Sequence, residues 1–449
     1  MSHYKPYPAY KDSGVEWLGQ VPEHWGVRQL RSIAVETLDG FVDGDWIEAP
    51  FITDEGVRLI QTGNVGVGEY REQGFRYISE ATFNDLRCTE FHPGDLLICR
   101  LGDPVGRACF APDLGCRMIT SVDNVILKPK PEFARNYFLH LFSSKSYLAF
   151  FEAECRGATR DRVSRSMLGA MMIPIPDLSE QQKIGAHLDR ETARIDALVA
   201  KKTRFIELLR EKRQALITHT VTKGLDPNVK MKDSGVEWLG EVPEHWAIKR
   251  LQFLCSSIKA GPFGSALTKD IYVSDGYRVY GQEQVIPGDF SIGDYYITPE
   301  YFSELAQYAV QPGDVLVSCV GTFGKIAVVP EGVEPGIINP RLIRIRVNQL
   351  VSPMYLTMLM RSSVVFEQFS LWSRGGTMDV INIGTLSGIV LSVPPASEQQ
   401  AIIRYVEHEA GRIDALVNKT ERSIELLKER RSALITAAVT GQIDLREAV

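Results

Sequence analysis

From residue 184 onward, one set of positions recurs in steps of four and three. Positions 184, 188, 191, 195, 198, 202, 205, 209, 212 and 216 hold Ile, Leu, Glu, Ile, Leu, Lys, Phe, Leu, Lys and Leu. A period of 3.5 is the seam of a coiled coil. The same steps return 218 residues later, at Ile402, Val406, Glu409, Ile413, Leu416, Thr420, Ser423, Leu427, Arg430 and Leu434. Polar residues interrupt both seams at matching places, as register-setting residues do. Ser179 lies three residues before Gln182, and Ser397 three before Gln400, which reads as a capping box at each helix start. From there to Lys223 or Thr440 only Gly185 and Gly411 interrupt. Each pattern therefore predicts a helix of about 44 residues, roughly 66 Å long at 1.5 Å per residue. So long a helix needs a partner. The candidates are its sister in the same chain, its own globule, or a second copy of the protein. The sister is preferred, because the first helix leads away from one globule and an antiparallel second helix can return.

Ahead of each helix the pattern changes. Short apolar runs, Asp95–Cys99, Asn124–Leu127, Asp314–Ser318 and Lys325–Val329, stand between Gly and Pro turns as strands do. Tyr137–Phe151 and Met354–Phe369 read as amphipathic helices. The expected fold is α+β: two mixed α/β domains separated by two long helices that form an antiparallel coiled coil, a pseudo-two-fold tandem repeat. The predicted boundaries are 1–177 and 226–395 for the globules, and 178–225 and 396–449 for the helical spacers.

The repeat is explicit in the residues. Lys11–Trp25, with the core Asp-Ser-Gly-Val-Glu-Trp-Leu-Gly-x-Val-Pro-Glu-His-Trp, returns as Lys232–Trp246 with Gln20 replaced by Glu241. Ser179-Glu-Gln-Gln182 matches Ser397-Glu-Gln-Gln400, and Arg194-Ile-Asp-Ala-Leu-Val199 matches Arg412–Val417. Between these blocks only a skeleton persists, such as Pro93-Gly-Asp and Pro312-Gly-Asp. An undrifted duplication would spread identity evenly. Identity confined to the tryptophan segment and the helices implies that those parts meet the same thing twice, and the globules two different things. Trp17, Trp25, Trp238 and Trp246 are accordingly candidate partner-binding residues, with packing anchors as the plainer alternative.

Composition adds limits. The chain of 449 residues is 44% hydrophobic and 24% charged, ordinary for a globular protein. It shows neither a signal peptide nor a membrane-length apolar run. Seven scattered cysteines without a C-x-x-C pair suit free thiols in a cytoplasmic protein and give no zinc motif. A net charge of −6 counts against a simple nucleic-acid binder, although only the charge facing phosphates sets that interaction.

Loops rich in Arg, Gln, Asn and Thr carry the side chains that read bases through paired hydrogen bonds. In the first globule these are Gln61, Thr62, Asn64, Arg100, Arg107, Arg156, Thr159, Arg160 and Arg162, with Arg165 beside them. In the second they are Gln282, Gln284, Lys325, Arg341, Arg374 and Thr377. Each arginine taken singly is better explained by a solvated surface charge or an ion pair than by base reading. Catalytic patterns are missing: no Asn/Asp-Pro-Pro-Tyr/Phe for amine methylation, no Asp/Glu-x-Lys pair for a restriction-type metal site, no Walker or dinucleotide loop. Asp95 and Asp314 read as turn residues, and His24 and His245 as structural.

The opening segment, the Ser-Glu-Gln-Gln helix starts and the Arg-Ile-Asp-Ala-Leu-Val…Ile-Glu-Leu-Leu helices together resemble the specificity subunits of type I restriction–modification systems, over essentially the whole chain. The resemblance implies a non-catalytic, cytoplasmic DNA-specificity subunit. Each globule would be a target-recognition domain for one half of a bipartite, asymmetric duplex site. The helices would set the spacing and dock two methyltransferase subunits, with restriction/translocase subunits added. S-adenosylmethionine, ATP and Mg would sit on those partners and no cofactor on this chain. The competing reading is a two-headed protein-interaction scaffold that binds no DNA.

Overall fold

The computed structural model describes residues 4–102, 104–155, 161–263, 266–319, 325–373 and 381–447. They form two compact units, Met1–Thr203 together with Arg422–Val449, and Arg204–Glu421. The division falls inside the long helices, not at their ends, so each unit owns a globule and parts of both helices.

In the first unit an antiparallel sheet has the order Phe41–Asp43, Asn124–Leu127, Leu96–Cys99, Ala108–Phe110. Its central strands are buried throughout, and the two-residue period sorts their side chains to opposite faces. Leu96, Ile98, Val125 and Leu127 pack with the helix Arg135–Phe142 and the start of the first long helix. Leu97, Cys99 and Ile126 pack instead with Ile60, Phe91 and Met118. The second face is covered by a mixed sheet in which Val57–Ile60 pairs antiparallel with Tyr77–Ile78 and parallel with Met118–Thr120.

The second unit repeats this topology. Cys255–Ala260, Leu342–Val347, Val315–Ser318 and Ile326–Val328 form the four-stranded sheet. Tyr296–Ile297, Tyr277–Tyr280 and Gly336–Ile338 form the three-stranded one. The predicted strands therefore occur where the apolar runs placed them.

Two predicted helices are each broken in two. Arg135–Phe142 is followed by Lys145–Cys155, and Pro353–Met360 by Ser363–Ser373. At both breaks a buried serine closes the first helix on itself: Ser144 Oγ donates to Leu141 O and Ser362 Oγ to Leu359 O. Such local bonds compete with the helical ladder.

The long helices span Leu178–Lys223 and Ala396–Val439. Their starts differ from the expected capping box. Asp177 Oδ1 accepts from Glu180 N at 2.9 Å, two residues before the amide that Ser179 would need. The second helix begins directly after Pro394-Pro395, with Glu398 N donating to Pro395 O. Within each unit the helices run antiparallel. In the first, Asp196 pairs with Arg431 at 2.9 Å and Lys183 reaches Arg446 O. In the second, Arg210 pairs with Glu421 and Arg213 with Asp414, each at 2.9 Å.

The seam is correct in kind and displaced in part. Ile184, Leu188, Ile195 and Leu209 are buried, as are Ile402, Val406 and Ile413. Leu198, Phe205 and Leu416 face solvent, and their neighbours Ile206 and Val417 are buried instead. A 3.6-residue helix drifts about 20° per heptad against a strict 3.5 repeat. Three heptads separate Ile184 from Phe205, and the accumulated drift of about 60° leaves Ile206 nearer the inward line than Phe205.

Candidate nucleic-acid interface

The tryptophan segment and the helix start, the two blocks repeated in the sequence, meet inside each unit. Glu180, only 3% exposed, accepts from Tyr7 Oη at 2.6 Å and Trp25 Nε1 at 3.1 Å. His24 Nε2 lies 2.9 Å from Oε2, the same oxygen that receives Trp25. Burial, then the bond to Glu180, pushes the Tyr7 phenol far above its ordinary range. Next to it, the buried Gln181 accepts from Ala134 N and donates to Pro176 O, fastening the helix to the globule. In the second unit His245 Nε2 lies 2.8 Å from Glu398, and Gln399 accepts from Ser352 N and donates to Pro394 O.

The thing met twice is thus the chain's own helix start. Trp25 and Trp246 are completely buried and cannot present themselves to a partner. This corrects their assignment as partner-binding residues, because burying the indole against the helix start serves the joint. Trp17 is half-buried, with Tyr147 and Phe150 against its ring. Trp238 is half-buried at the equivalent place. Trp17 is a packing anchor before it is a contact residue.

Several candidate base readers are committed to their own loops. Asn64 is buried; its Oδ1 accepts from Gln61 N and its Nδ2 donates to Arg71 O and Gln73 O. Gln284 repeats this in the second unit, accepting from Gly281 N at 2.7 Å and donating to Ile292 O. Arg107 is buried and donates to Val65 O, Leu101 O, Pro104 O and Thr62 O. Arg100 is buried between Asp43 at 3.0 Å, Val163 O and Val122 O. Desolvated polar groups are bonded or costly, so these four side chains shape the loops, and their edges are not presented to a base. Gln61 and Thr62 are half-buried on the same turn, and Gln282 donates to Ser318 Oγ at 2.6 Å. Arg162, Lys325 and Arg341 are exposed. Arg156, Thr159, Arg160, Arg374 and Thr377 lie outside the described residues.

What the structure assembles is a junction at one end of the four-stranded sheet. In the first unit Arg100 N donates to Asp123 O, and Val163 N to Arg100 O. Asp43 faces Arg100 and stands 3.6 Å from Arg165. Asp123 holds Arg162 at 2.8 Å. In the second unit Cys319 N donates to Arg341 O, and Ile381 N to Cys319 O. The backbone bonds are the same. Where the first unit has Arg100 and Asp123, the second has Cys319 and Arg341, and Ala260 stands at the strand position of Asp43. One frame therefore displays two unrelated sets of side chains. Sequence patterning had no signal for Asp43 and Asp123, since the arginines they pair with come from distant segments.

Residues 53–208 and 243–426 each match the family model of the type I restriction modification DNA specificity domain. The chain belongs to this family.

It is 20% identical to the type I restriction enzyme EcoKI specificity subunit of Escherichia coli K12, covering 95% of this chain and 90% of that protein. It is 22% identical to the StySPI specificity subunit of Salmonella potsdam, again over 95% and 90%. Among solved structures, a chain from work on complex assembly and conformational transition of the type I R-M system aligns with TM-score 0.71 at 15% identity, covering 94% of this chain and 99% of that one. The HsdS subunit of Thermoanaerobacter tengcongensis aligns with TM-score 0.54 at 17% identity, over 94% and 98%. Both share the fold. The two specificity domains of this chain bracket the two junctions, and each domain contributes its own set of exposed side chains there.

Proposed function

We propose that this protein is the DNA-specificity subunit of a type I restriction–modification complex, in which each domain reads one half of a bipartite, asymmetric duplex site. The observation that carries the reading is the duplicated junction: one backbone frame with different side chains, in a chain with two DNA specificity domains. Phosphate contacts position a reader and base contacts specify, so a fixed frame with exchanged side chains suits two halves of different sequence. A scaffold without DNA has no use for that difference. Specificity subunits of this family carry no chemistry, and neither does this chain.

Partners complete the activity. Leu198 and Leu416 occupy equivalent positions on the two helices, as do Leu208 and Leu426, and all four are 42–50% exposed. Repeated apolar positions on two helices suit two copies of one partner, the methyltransferase subunit, while the helices set the spacing of the half-sites. Those subunits would bring S-adenosylmethionine and methylate adenine N6 on a flipped base. Restriction subunits would bring ATP and Mg. No described helix is long and apolar enough to cross a membrane, which suits the cytoplasmic setting of such a complex.

The test is co-expression with methyltransferase subunits, followed by mapping methylated adenines through long-read sequencing. A split asymmetric motif that disappears when this chain is omitted is the expected result. A stable complex without a split motif would favour the scaffold.

A further inference from the structure

We infer that Trp46 and Phe263 are DNA-contacting wedges, one for each half-site, set at equivalent points of the two domains. The inference rests on the DNA-specificity reading. Among the described residues these are the two most exposed aromatic side chains, at 72% and 87%. No sequence repeat relates them. The sheet register does. Asp43 pairs with Val125, and Ala260 with Ile343, at the same place in two sheets of identical strand order. Gly44 and Gly261 follow, and the two aromatics each lie two residues beyond their glycine.

Both glycines are required by close approach. A Cβ on Gly44 would meet Thr120 O at 2.3 Å, and one on Gly261 would meet Asn339 O at 1.9 Å. Without side chains there, the outgoing strand can press against the turn that enters the next strand. In the first domain Asp45 N donates to Thr120 O, and Val122 N to Asp45 O. That turn carries Asp123, which holds Arg162. In the second domain Gly261 N donates to Leu342 O, and the same turn carries the exposed Arg341. Each ring is thereby aimed outward from the junction whose polar side chains differ between the domains.

An indole or phenyl ring left in water forgoes the free energy that covering it would gain. Set two residues past a glycine that packs on the turn carrying Asp123 or Arg341, it fits the face of a base or the gap opened at a base step. Stacking of this kind tolerates any base, and apolar wedges open steps in duplex DNA. This explains why an aromatic recurs at the same point while its polar neighbours do not.

The experiment uses the full chain in complex with its methyltransferase subunits and a synthetic duplex carrying the split motif found by methylation mapping. Affinity is read by fluorescence anisotropy for W46A, F263A and W46F. Both positions are largely solvated, so circular dichroism should report unchanged folding. W46A should weaken binding about tenfold, and W46F by less than about threefold. On a duplex with the first half-site scrambled, where the polar contacts that dock the first domain are lost, W46A and the parent should bind alike, and F263A should show the mirror pattern with the second half-site. Affinities within twofold of the parent on the intact site would overturn the inference while leaving the DNA reading intact. Loss of the methyltransferase subunits from W46A or F263A would also overturn it, and would assign the rings to a protein contact. Absence of any split motif would overturn the underlying reading instead.

Discussion

Replacing Glu180 by alanine should loosen the first unit and leave the second untouched. Glu180 receives Tyr7 Oη and Trp25 Nε1, and both rings are under 4% exposed. Removing the carboxylate strands two buried donors, each costing about 1–3 kcal/mol. Relaxation and water entry recover part, so about 2–4 kcal/mol is expected locally. The equivalent change at Glu398 removes a contact to His245, whose side chain is 47% exposed against 28% for the glutamate. An ion pair that open is worth about 1 kcal/mol or less. With two units in one chain a single unfolding free energy is not well defined, so hydrogen–deuterium exchange resolved by peptide is the appropriate assay. E180A should speed exchange in peptides around Tyr7–Trp25 and the start of the first long helix by about 30-fold or more, since 1.4 kcal/mol is a factor of ten. E398A should change the peptides around His245 by less than about tenfold. E180Q, which keeps one acceptor oxygen, should fall between E180A and the parent. Equal effects of E180A and E398A, or no effect of E180A, would refute the view that the first joint is held by buried hydrogen bonds.

Arg107→Ala removes a buried guanidinium from four loop carbonyls and should cost about 2–4 kcal/mol in the first unit, seen as a lower thermal midpoint. Arg162→Ala, an exposed side chain paired with Asp123, should leave that midpoint within a degree or two and weaken binding to the first half-site, with the salt slope falling by about one. Asp189 is held below the ordinary carboxylate range, chiefly by its hydrogen bond to His140 and also by Asn136. A depressed folded-state value means that its contribution is complete above about pH 4 and fades as the pH falls further. D189N should therefore flatten the acid limb of a stability–pH curve, and an unchanged limb would contradict this. Replacing Leu198 and Leu416 by aspartate should reduce the number of methyltransferase subunits that co-purify, measured by light scattering, without unfolding the chain.

Much of this architecture is legible in the sequence. Strands at Leu96–Cys99, Asn124–Leu127, Val315–Ser318 and Ile326–Val328 follow from short apolar runs bounded by turns. The long helices follow from a sustained period near 3.5, and the duplication from identity of residues. These are local signals, because the spacing of side chains along a strand or helix is set by the backbone alone.

Other features depended on what the chain brings together from afar. The helix seam slips from Leu416 to Val417 because supercoiling, a property of the pair, decides how far the inward face drifts. Trp25 is a joint residue because Glu180, distant in sequence, sits beneath it. Arg100 and Arg107 look like base readers in a polar loop, yet carbonyls from other segments occupy their donors. The correspondence of Trp46 with Phe263 exists only in the sheet register. A sequence by itself determines which backbone period a segment prefers. Whether a polar or aromatic side chain ends buried or facing a ligand is decided by the tertiary structure, since burial and hydrogen-bond supply come from residues far along the chain.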